Sequence, residues 1–105
     1  MPSIQEWKSL LDDEPDNELI RFSYAKALLD AQQFSEAVPE FRRLVQDNAD
    51  YALAWAFLAR SSLLAGDLPG ARLACEQGMP VAKRQRHEIP ESEIQAVLDE
   101  LDSDF

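Results

Sequence analysis

Residues 54–75 read AWAFLARSSLLAGDLPGARLAC. Half of these positions are alanine or leucine, Trp55 stands near the start, and Gly66-Asp67 interrupts the run at its middle. Small apolar side chains at helical spacing let two helices approach closely. Glycine adopts the left-handed conformation that ends a helix, and aspartate accepts hydrogen bonds from the first free amides of the next. The stretch therefore predicts a helical hairpin, with Asp67 capping its second helix and Pro69 tolerated in that helix's first turn.

Working outward, the same composition continues. Glycine occurs three times in 105 residues and no stretch alternates with period two over a useful length. Six helices are predicted. The first spans about 3–12, opened by Ser3 and Glu6 in a capping box and closed by Glu14-Pro15. The second runs from Asp16 or Asn17 to Ala31. Ser35 is expected to cap a third to Asp47, with Pro39 in or near its first turn. The fourth covers about Tyr51 to Ala65. The fifth starts after Asp67 and continues to at least Gln77, where Gly78 and Pro80 are expected to end or kink it. Pro90 is expected to open the last helix, about 91–102, with Ile94, Val97, Leu98 and Leu101 on one face.

The hairpin recurs. Ala37 precedes Phe41 by four residues, and Ala71 precedes Cys75 by four, with the two alanines 34 apart. Sixteen residues before each stand Arg21 and Trp55, then Tyr24 and Leu58, then Ala25 and Ala59. A further step back of 34 reaches Ser3, with Trp7 four later and Pro15 twelve later. A period of 34 with W-x2-L-G-x2-Y, then A-x3-F, then P is the tetratricopeptide pattern. Over residues 3–83 the chain resembles that family. Trp55, Leu58, Gly66, Asp67 and Ala71 match it; Arg21, Ala25, Leu28, Ala49, Ala59, Ser62, Cys75 and Lys83 depart from it. The resemblance implies an all-α helical-hairpin solenoid in a single domain. Its parts are a trailing half-repeat (3–15), repeats at 16–50 and 51–84, a capping helix at 88–102 that leaves the 34-residue phase, and a frayed tail at 103–105.

Composition narrows the function. Twenty acidic residues against ten basic ones give a formal charge of −10, which argues against nucleic acid as a partner. The charge is segregated: residues 1–18 carry six acids and one base, 88–105 seven acids and no base, and the segment between them seven acids and nine bases. The cluster KRQRH at 83–87 reads as cations at a helix C-terminus. Cys75, the single cysteine, lies in an apolar helical pattern and reads as a buried thiol in a reducing, cytoplasmic setting. No secretory leader, membrane span, metal-ligand spacing, phosphate loop or nucleophile elbow is read, so neither an enzyme nor a cofactor is expected.

In the resembled family the first helix of each repeat lines a concave surface that binds peptide segments. The positions this implies are Leu19, Phe22, Lys26 and Leu29 in the first full repeat. Their equivalents 34 residues on are Leu53, Ala56, Arg60 and Leu63. They describe an apolar trough with one cation per repeat, suited to a protein or peptide segment with acidic residues among apolar ones, in an adaptor or assembly-factor role. The alternative is a homodimer or larger homo-oligomer whose trough is filled by its own copy, the acidic tail ELDSDF being one candidate insert. The carboxylate clamp of chaperone-binding family members is not implied, since Phe22, Lys26 and Phe57 occupy its lysine and asparagine positions.

Overall fold

The structure, a computed structural model, describes residues 2–103; Asp104 and Phe105, most of the expected frayed tail, lie outside the described residues. Six helices follow in order: α1 (Ile4–Asp13), α2 (Glu18–Asp30), α3 (Phe34–Asp47), α4 (Ala52–Leu64), α5 (Leu68–Arg84) and α6 (Glu88–Asp102). No strand occurs among the described residues.

Local chemistry fixes most helix starts. Ser3 and Glu6 form the reciprocal capping box of α1. Asn17 Oδ1 accepts the Ile20 amide at 3.0 Å, and Asp67 Oδ1 accepts the Gly70 amide at 3.0 Å. Each such cap is worth about 1 kcal/mol. Helix α3 differs from expectation: it begins at Phe34 behind Gln33, which makes no side-chain cap, so Ser35 is its second residue and Pro39 its sixth. Helix α6 starts at Glu88, two residues before Pro90, because a proline without an amide hydrogen fits anywhere in a helix's first turn.

Helices α2, α4 and α5 share one ending. Gln32, Gly66 and Arg86 take φ of 63°, 86° and 52°. The next residue then donates its amide back to the helix: Gln33 to Leu28 O at 2.9 Å, Asp67 to Ser62 O at 2.9 Å and His87 to Ala82 O at 3.0 Å. This paired closure satisfies carbonyls that the helix end leaves open. Only at Gly66 is the left-handed backbone free of a Cβ penalty.

Packing follows the 34-residue phase. Ala37, Phe41, Ala71 and Cys75 are fully buried, as are Ala25 and Ala59 on the partner helices. Of the two outcomes expected at Gly78-Pro80, the helix does not end there, and α5 runs unbroken to Arg84. Gly78 is a contact residue: a Cβ there would lie 2.6 Å from Trp55 Cβ and 3.1 Å from Ile94 Cδ1. The glycine lets α5 press against α4 and α6 at once, and burial of Val81 and Ala82 beyond it holds the helix past the proline. Trp55 itself is anchored by its indole N–H, which donates to Ala49 O at 2.8 Å. Helix α6 packs on both α4 and α5, with Ile94 and Val97 fully buried; α1 packs on α2 alone. The result is a stack of antiparallel helical hairpins, 42 × 29 × 22 Å.

Candidate functional site

The face that the resemblance implies is carried by α2 and α4, the first helices of the two expected repeats. On α2, Leu19 is 71% exposed, Phe22 and Lys26 are partly exposed, and Leu29 is buried as part of the floor. On α4, Leu53 is partly exposed while Ala56 is fully buried. Between the helices lies an aromatic cluster. Phe22 stacks on Tyr51 with centroids 5.4 Å apart and meets the Phe41 and Phe57 rings at 5.9 Å each. Such pairs contribute about 0.5–1.5 kcal/mol beyond area burial and hold the rings in fixed orientations. Lys26 Nζ lies 5.4 Å from the Phe57 centroid and 2.7 Å from Asp30 Oδ1.

The two cations expected to work as a pair have different partners. Arg60 Nε donates to Glu93 Oε1 at 2.8 Å, and its Nη1 bonds Glu100; both glutamates belong to α6. Burial alone would lower the Arg60 pKa, but the hydrogen bonds to Glu93 and Glu100 outweigh it and raise it further. Leu63 is half-buried at the same end and lines a cavity of about 290 Å³ with Leu68, Glu100, Leu101 and Ser103. The acidic and apolar segment that suits Arg60 is thus supplied within the chain, by α6. The structure brings Phe22 and Lys26 together on an open surface, leaves Leu19 exposed one turn earlier on α2, and ties Arg60 to the terminal helix with Leu63 half-buried near its end.

At the other end the face is open. A groove of about 600 Å³ runs between α1 and α2, walled by Ile4, Trp7, Phe22 and Ala27, with Ser23, Lys26 and Asp30 on its rim. Trp7, aligned with Phe41 by the repeat, is half-buried and faces this groove, and the sequence pattern gives no role to Phe57 or Tyr51. Phe57 sits 34 residues after Ser23, which the structure places on the groove.

Two further titratable groups away from this face, Cys75 and Tyr24, are buried. Burial pushes the Cys75 thiol up to about 11, against the pull of Arg72 and Arg60. The thiol instead donates a long 3.9 Å contact to Ile94 O. Burial, with Glu40, Glu36 and Asp12 nearby, likewise raises Tyr24. In the 83–87 cluster, Arg84 pairs with Asp50 and Gln85 donates to Asp50 O at 2.7 Å, so part of it ties the end of α5 to the loop before α4. No helix among the described residues is long and apolar enough to cross a membrane.

This hairpin stack and its repeating ladder of small buried residues match known proteins. The family model of the tetratricopeptide repeat matches residues 4–61. The chain is a tetratricopeptide-repeat protein. It is 34% identical over 99 residues to a TPR repeat-containing protein of Pseudomonas aeruginosa, an alignment covering 94% of each. Its fold is also similar to the solution structure of a protein from Bordetella parapertussis, with a TM-score of 0.78 and 29% identity over 96% of this chain and 88% of that one. Tetratricopeptide-repeat proteins are in general protein–protein interaction modules, and that is the general function the family gives this chain.

Proposed function

We propose that this tetratricopeptide-repeat chain is a cytoplasmic adaptor or assembly factor that holds an apolar segment of a partner protein on its concave face. Leu19, Phe22, Lys26 and Leu53 would meet the segment. Leu29 and Ala56 would floor the trough, and Arg60 and Leu63 would seat α6 at its closed end. The observation that carries this reading is the contrast between the repeats. Phe22 and Lys26 line a groove of about 600 Å³, and Leu19, one turn earlier on α2, is 71% exposed, while Arg60, the equivalent of Lys26 in the second repeat, is held by α6. Exposed apolar area of this kind on a rigid helical support marks an interaction surface. An acidic ligand gains little here, since Lys26 already holds Asp30 and Arg60 holds two glutamates.

A photo-crosslinking amino acid at position 19, with position 73 on α5 as the control, tests this in the native host. Leu73 is also exposed and lies on the opposite helix of its hairpin. The expected product joins position 19 to a partner protein and weakens when Phe22→Ser is added. A product at twice the chain's own mass would favour the homo-oligomer instead. Crosslinks from position 73 alone would overturn the concave-face reading.

A further inference from the structure

A separate cavity of about 220 Å³ lies where α3, α4 and α5 meet. Trp55 and Leu58 of α4, both buried, form its apolar floor, with Val45 on one side and Leu73 on the other. Short side chains on α5 explain the space. Gly70 and Ala74 line it, and the first repeat has Glu36 and Glu40 in their places. Gly70 has to stay bare, because a Cβ there would collide with the Asp67 carboxylate that caps α5. Neither residue reaches towards α3, so the room beside Trp55 and Leu58 is left open.

The polar part of the lining has one sign. Arg42, Gln46 and Gln77 complete the cavity and no carboxylate lines it, in a chain with twenty acids and ten bases. Arg42 forms no ion pair among the described residues. Its neighbour Arg43 holds both Asp16 and Asp47. The difference comes from spacing. Three and four residues to either side of Arg42 stand Val38, Pro39, Val45 and Gln46, so no acid is within its reach along α3. An apolar space with a few convergent donors is the form of a small-molecule site. The exposed residues next to it on α3 and α5 are Arg43, Asp47, Arg72 and Glu76, a charged surround that does not supply the apolar centre of a protein interface.

We infer that this cavity binds a small monocarboxylate with an apolar body, a single ring or a short chain. Sites for drug-sized ligands hold about 300–1,000 Å³, so the occupant here is smaller than those. Its body would lie against Trp55, Leu58 and Leu73. Its carboxylate would take paired hydrogen bonds from the Arg42 guanidinium, with the Gln46 and Gln77 amides as further donors. A neutral ligand leaves Arg42 without a partner, and a cationic one is repelled by it. No residue of this site belongs to the segment-binding face of α2 and α4, so either reading can fail without the other.

The two tryptophans make the test direct, since Trp55 lines this cavity and Trp7 lines the groove between α1 and α2. Proton–nitrogen resonances of both indoles are followed in the full chain as phenylbutyrate, phenylbutanol or phenylbutylammonium is added. The carboxylate is expected to shift the Trp55 indole saturably and to leave Trp7 in place. It should bind about fivefold or more tighter than the alcohol, by a margin that shrinks as salt is raised. Arg42→Gln, at an exposed site, should remove that margin with the helical circular dichroism unchanged, and Leu73→Gln should weaken all binding. Equal binding of carboxylate and alcohol, shifts at Trp7 in place of Trp55, an undiminished margin in Arg42→Gln, or no saturable shift with any probe would overturn the inference. A crosslink from position 73 to a partner protein would also overturn it, by making the occupant a protein segment.

Discussion

Gly78→Ala isolates the contact that keeps α5 close to α4 and α6. A helix interior ordinarily gains about 0.8–1 kcal/mol from this substitution, because alanine loses less freedom on folding. Here the added methyl would start 2.6 Å from Trp55 Cβ and 3.1 Å from both Trp55 Cγ and Ile94 Cδ1. Carbon atoms rest about 3.5–4.0 Å apart, so α5 must withdraw from α4 by about 1 Å. A gap of that size forfeits about a quarter to a half of each dispersion contact across the seam, and overpacking of this kind costs about 1–3 kcal/mol. After the propensity gain, the expected net loss is about 1 kcal/mol and at most about 2 kcal/mol. For a domain of this size that lowers Tm by roughly 5–15 °C. Urea titrations of both proteins followed by circular dichroism measure it, and an unchanged slope would confirm that the native state alone has changed. A Gly78→Ala protein as stable as the parent, or more so, would refute the close-approach argument and make the glycine a mere weak point in the helix.

Gln32 holds the left-handed place that Gly66 holds one repeat later, so Gln32→Gly is expected to stabilise by about 0.5–1 kcal/mol in the same titration. Ser62 Oγ is buried without a hydrogen-bond partner, and Ser62→Ala should be neutral or stabilising by up to about 1 kcal/mol, where a loss would point to a bond with the chain. The folded Cys75 thiol sits above its ordinary 9.0, at about 11, so the unfolded chain releases the proton first. Stability should therefore be full below pH 9 and fall by at most about 2–3 kcal/mol as pH rises towards 11; Cys75→Ala should flatten that part of the pH profile.

The elements that could be read from sequence are those whose causes lie within a few residues or recur at a fixed interval. Ser3, Asn17 and Asp67 announce helix starts by capping chemistry alone, and Ala37 with Ala71 announces the stack by repeating. Gly78 misleads because a glycine that breaks a helix and one that admits a tryptophan have the same letter; the deciding atom, Trp55 Cβ, is 23 positions away in sequence. Ser35 misleads because its side chain competes for the cap only if the preceding turn stops later than it does. At the concave face, Leu19, Phe22 and Lys26 were found by phase. The fate of Arg60 was hidden, since its carboxylates come from a helix that leaves the 34-residue phase.

The single interface of α1 makes the stack asymmetric in time as well as in space. Helix α4 is held from several sides, by α3, α5 and α6, whereas α1 can detach by giving up its contact with α2 alone. In a nearest-neighbour solenoid, opening then begins at that end, and amide hydrogen exchange should be fastest in α1, slower in α2 and slowest in α4. Local unfolding there would expose Trp7 and leave the remaining repeats intact, so the N-terminal helix can come and go at a small fraction of the cost of melting the whole chain.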